Sequence, residues 1–74
     1  MKVYVTRVNG RNTVDGAFAT LAAMVRGLVE SGEVSKQFAE EIAAQFINHS
    51  MVTIETRGLA PYKLIIQEME LIEN

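Results

Sequence analysis

The chain has no cysteine, one proline, one histidine and little surplus charge: seven basic side chains stand against nine acidic ones, a formal net charge of −2 over 74 residues. Each scarcity excludes something. Without cysteine there is neither a disulfide framework nor a thiolate metal site to staple the fold, and the composition suits a reducing compartment. With His49 as the lone histidine, a metal would have to be completed by carboxylates, and no ligand spacing surrounds it. At the end of a helical stretch it reads as a cap, where the helix dipole favours an imidazolium. The near balance of charge gives no whole-molecule attraction to nucleic acid or anionic lipid. Arg26 and Gly27 interrupt the apolar stretches well short of the ~20 residues a membrane span needs. Met1-Lys2 leads straight into a strand-like run, not into a long apolar leader. These features point to a soluble, cytoplasmic protein with no membrane partner.

What the chain does have is apolar residues, 49 % of the total. That fraction argues against disorder. Residues 1–74 are the length of one domain. At this size folding hides only about 60 % of the surface of the unfolded chain, so the core is thin. Small domains without staples often gain stability by oligomerising.

Residues 2–8 are rich in β-branched and aromatic types and read as a first strand. Val3, Val5 and Arg7 share one face, and Tyr4, Thr6 and Val8 the other. Asn9-Gly10 is a turn signal, read as leading into a helix because residues 11–13 lack a β pattern. Asn12 or Thr13 is the expected N-cap, with Asp15 in the first turn. Val14, Phe18, Leu21, Val25 and Leu28 recur at helical spacing, widened by Ala17, Ala22, Met24 and Val29. A helix so apolar is covered on more than one side or exposes a patch. Gly32 suits a left-handed stop. A second helix starts at Ser35, buries Phe38, Ala39, Ile42, Ala43 and Phe46, and wets Lys36, Gln37, Glu40, Glu41 and Gln45. Residues 51–56 alternate as a strand, with Val52 and Ile54 inward. Residues 57–61 form a loop, and a third strand runs from Tyr62 to Ile72.

The expected fold is therefore α+β: a two-layer β-α-α-β-β domain with a helical hairpin packed on one face of a three-stranded sheet. Counting reversals makes the first strand parallel to the third. The long third strand is placed centrally, in the order 1-3-2, with the all-antiparallel order 1-2-3 as the alternative.

If Val3, Val5, Val52, Ile54, Ile65, Met69 and Leu71 face the helices, the far face carries Tyr4, Val8, Met51, Leu64 and Ile66. A solvated sheet face is normally polar, so these five are the candidate protein interface, with Tyr4, Leu64 and Ile66 as its anchors. Strand addition at an open edge is the other binding mode considered.

Catalytic sets are not evident. Glu40 and Glu41 are adjacent on a wet helical face and do not face one another. Glu68 and Glu70 share a strand face near the end of the chain. Neither pair has the burial that shifts a catalytic carboxylate. Ser31, Ser35 and Ser50 have no histidine at a recognisable spacing, and residues 9–12 lack the pattern of a phosphate loop. A nucleic-acid alternative rests on Lys2, Arg26, Lys36, Arg57 and Lys63, which the expected topology gathers at one end beside a helix N-terminus. Glu30, Glu33 and Glu55 at the same end dilute it. The expectation is a non-enzymatic protein-binding module without cofactor or metal. It pairs with itself as a homodimer and docks on a larger protein as a regulator or inhibitor by surface occlusion, in the manner of phage accessory proteins.

Overall fold

A computed structural model describes residues 1–8, 16–56 and 60–72. In chain order the elements are β1 (Lys2–Val8), β2 (Gly16–Phe18), α1 (Leu21–Glu30), α2 (Lys36–Gln45), β3 (Met51–Glu55) and β4 (Lys63–Glu70). The sheet has four strands in the order β2-β1-β4-β3, and every neighbouring pair runs antiparallel. Two helices cover one face of it. The α+β class and the two helices are as the sequence indicates, but the sheet has an additional strand and different directions.

The additional strand is Gly16–Phe18. These residues were expected inside the first helix, yet they pair with Thr6, Val5 and Tyr4. The helix begins only after Thr20, whose Oγ1 accepts a hydrogen bond from the Ala23 N–H at 3.1 Å. That contact satisfies one of the donors a helix leaves open at its start. Gly and Ala have poor strand propensity, so local preference does not explain β2; tertiary context overrides it. Phe18 sits opposite Tyr4, and its ring lies against α1 where Gly27 has no side chain: a β-carbon built there would come within 2.7 Å of the ring's Cζ. The caps expected at Asn12 and Thr13, with Val14 and Asp15, lie outside the described residues.

One more reversal changes the direction of everything after it. Without β2, the first and last strands would be parallel; with it, β1 and β4 are antiparallel neighbours over seven residue pairs, from Lys2 opposite Glu70 to Val8 opposite Leu64. This corrects the parallel pairing read from the sequence.

The helical hairpin is built as its residues suggest. Gly32, at φ +78°, ends α1. The Gly32 N–H donates to the Val29 carbonyl at 3.1 Å and the Glu33 N–H to that of Leu28 at 3.2 Å, the paired bonds of a glycine-terminated helix. Ser35 caps α2 through Oγ, which accepts from the Phe38 N–H. Met24 and Leu28 of α1 and Ala39 and Ile42 of α2 are buried. They join Tyr4, Val34, Phe46, Val52, Ile54, Leu64 and Ile66 in one core. Tyr4 and Phe46 meet edge to face, with ring centroids 5.5 Å apart, a favoured aromatic geometry. Phe38, expected inside, is 37 % exposed.

The inward side of β4 is decided by its hairpin with β3. Thr56, itself buried, closes the neck. Its N–H donates to the Tyr62 carbonyl at 2.9 Å, its hydroxyl donates to the same oxygen at 3.2 Å, and Oγ1 accepts from the Tyr62 N–H at 3.0 Å. From that closure Ile54 falls opposite Leu64 and Val52 opposite Ile66. Leu64 and Ile66 therefore share the inward face of Val52 and Ile54. The β1–β4 register then sets Tyr4, Thr6 and Val8 on that face too.

Two measurements test this packing. Leu64→Ala is expected to lower the unfolding free energy by about 2–5 kcal/mol in urea titration, a large share for so small a domain, whereas Met69→Ala on the other face changes it by less than about 1 kcal/mol. In a double-mutant cycle, Gly27→Ala gains about 1 kcal/mol of helix propensity only when Phe18 has first been changed to Ala. In the parent chain that gain is cancelled or reversed by displacement of the ring.

Candidate interaction surface

The register places the candidate interface residues plainly. Tyr4, Leu64 and Ile66 are core residues under the helices, with Leu64 and Ile66 completely buried. Val8 is half-buried against the same core. Of the five, Met51 alone lies on the open face, opposite Gln67. The sequence reading assigned the two faces of β1 and β4 the wrong way round. Both faces of these strands carry apolar residues, so alternation alone did not distinguish them.

The helix-free face is formed by Val3, Val5 and Arg7 of β1, Ala17 of β2, Met51, Thr53 and Glu55 of β3, and Lys63, Ile65, Gln67 and Met69 of β4. It divides into two zones. In the middle, the Arg7 guanidinium donates from Nη1 to Gln67 Oε1 at 3.3 Å. These two residues are diagonal corners of the register cell completed by Val5 and Ile65. The polar link spans that cell beside Val5, which is only 7 % exposed although it lies off the helices. Toward the start of β1 and the end of β4 there is no such cover. Val3 sits opposite Met69, and the Leu71 N–H donates to the Met1 carbonyl at 2.6 Å, carrying the ladder one step further. Met51 lies diagonally from Met69 across the β3–β4 pair. Met1, Met51, Met69 and Leu71 are 63 %, 57 %, 39 % and 49 % exposed. They form an apolar end on the uncovered face, containing three of the four methionines.

Charge brackets this end and partly cancels there. The chain-terminal ammonium lies 3.0 Å from Glu70 Oε1, and Lys2 Nζ lies 3.4 Å from Glu68 Oε1. Glu68 and Glu70, weighed in the sequence as an acid–base pair, are thus each engaged by a cation. Such surface pairs contribute little to stability. Glu40 and Glu41 are both exposed on α2. His49 is exposed beyond the end of α2, and its backbone N–H donates to the Gln45 carbonyl at 2.9 Å. Among the described residues no group of three or more His, Cys, Asp or Glu side chains is placed to hold a metal, and no helix is long and apolar enough to cross a membrane.

Of the basic residues in the nucleic-acid reading, Lys2 does not share an end with Lys63. Lys2 pairs across from Glu70, whereas Lys63 begins β4, about 23 Å away along the strand at 3.3 Å per residue. Antiparallel pairing of β1 with β4 is the cause. Arg57 lies outside the described residues. Arg26 and Lys36 come together on the helical layer. The turn between the helices is tied to the Lys63 end by the Tyr62 hydroxyl, which donates to Glu33 Oε2 at 2.6 Å.

The class this geometry defines is a small α+β domain with one sheet face covered by helices and the other apolar at one end. No family model, curated protein or solved structure gives a match to the chain.

The separation of Lys2 from Lys63 has a measurable consequence. A labelled DNA duplex titrated at low salt is expected to give no steeply salt-dependent affinity, and Lys2→Ala should leave whatever weak signal there is unchanged.

Proposed function

We propose that this chain is a non-enzymatic protein-binding module that pairs with itself through the methionine-rich end of the helix-free sheet face. As a pair it acts as a regulator or inhibitor, by covering the surface of a larger protein. The observation that carries the reading is the uncovered apolar end formed by Met1, Val3, Met51, Met69 and Leu71. Contiguous exposed apolar side chains rimmed by charge favour such a contact. Methionine suits the role because its unbranched, polarizable side chain adapts to the facing surface. A patch on one sheet face also fits a two-fold interface, in which the same residues meet their own copies. Oligomerisation would supplement the thin core of a small domain without disulfides.

Sedimentation velocity at micromolar concentration checks this. The parent chain is expected to sediment at twice its 8.2 kDa. Met51→Glu combined with Met69→Glu should give a monomer with an unchanged far-ultraviolet circular dichroism spectrum, because both side chains are exposed. A parent chain that is monomeric under these conditions would overturn the self-pairing.

A further inference from the structure

Helix α1 is apolar on a second side. Met24 and Leu28 face the sheet, while exposed Ala22 and the outer parts of Val25 and Val29, which are half-buried against the core, floor an open groove of about 310 Å³ on the helical layer at spacings of three and four. Three charged residues complete its walls: Arg26 and Glu30 from α1 and Lys36 from the start of α2. Among the described residues neither Arg26 nor Lys36 lies in an ion pair with a carboxylate; the salt bridges there are those of Met1 and Lys2. The groove therefore joins an apolar floor to two cations that have no carboxylate partner among the described residues, and the first turn of α2 adds its partial positive charge beside Lys36.

We propose that this groove docks an acidic amphipathic helix of another protein. Apolar anchors at i, i+4 and i+7 of that helix would lie on Ala22, Val25 and Val29. Carboxylates flanking the anchors would meet Arg26 and Lys36. Glu30 sets polarity: the partner residue at that end is neutral or basic, because a third carboxylate there would be repelled. A helix fits better than a small amphiphile, since sites for small molecules enclose about 70–90 % of the ligand and this groove is open along its length. The proposal goes beyond the self-pairing reading and uses the opposite layer of the domain, so either can fail without the other.

The test is a methyl-resolved NMR titration of the full chain with a synthetic peptide carrying leucines at i, i+4 and i+7 flanked by glutamates. A twin with lysine for glutamate and sodium oleate serve as competing probes. The acidic peptide is expected to shift the methyl signals of Ala22, Val25 and Val29 and to bind about tenfold more tightly than its lysine twin. Arg26→Glu with Lys36→Glu should reverse that preference; both residues are exposed, so the amide spectrum should otherwise stay as in the parent. Absence of these shifts up to millimolar peptide would overturn the proposal. So would equal affinity for the two peptides, or binding of oleate alone. Shifts confined to Met51 and Met69 would place the peptide on the sheet face and also overturn it, leaving the self-pairing to be judged by sedimentation.

Discussion

The closure of the β3–β4 hairpin by Thr56 and Tyr62 is the constraint on which the rest of the structure depends. Three hydrogen bonds between these residues set the pairing of the two strands. Side chains alternate with a period of two, so a slip of one residue would turn Leu64 and Ile66 out and Ile65 and Gln67 in. Once β4 has its inward side, its seven pairs with β1 hand the same choice to Tyr4, Thr6 and Val8. The helices then pack on a face that the hairpin has already selected.

The second constraint is topological. A three-residue strand, Gly16–Phe18, inserts one reversal before the helices. It is held less by its own propensity than by Phe18 lodging against Gly27. Its consequence reaches the far side of the molecule: β1 enters antiparallel to β4, and Lys2 is carried to the end opposite Lys63. The same arrangement brings Met1, Val3, Met51, Met69 and Leu71 together. The apolar end of the sheet and the separation of Lys2 from Lys63 thus have a single cause.

The two surfaces left apolar differ in kind. The sheet end is flat, methionine-rich and bordered by charges that are already paired. The α1 groove is concave, aliphatic and edged by Arg26 and Lys36. The first suits self-complementary packing and the second a partner of opposite charge. Both leave apolar side chains uncovered in a domain whose core is thin at this length.

By itself the sequence determined the features set by short-range chemistry. The start of the second helix at Ser35, which caps it, Gly32 as a helix stop and the alternation of Val52 and Ile54 with Thr53 and Glu55 are each decided within a few residues. That apolar side chains would be left uncovered was likewise legible from composition and length. Which ones was not. β1 and β4 are apolar on both sides, so their inward face depends on a hydrogen-bonded neck between Thr56 and Tyr62 that no periodicity reveals. Gly16–Phe18 fit a helical spacing equally well, and it is contact with β1 and α1, remote in sequence, that makes them a strand. Tertiary structure therefore decided that Tyr4, Leu64 and Ile66 lie inside and Met69 outside, because strand facing is a property of pairing partners and not of the strand alone.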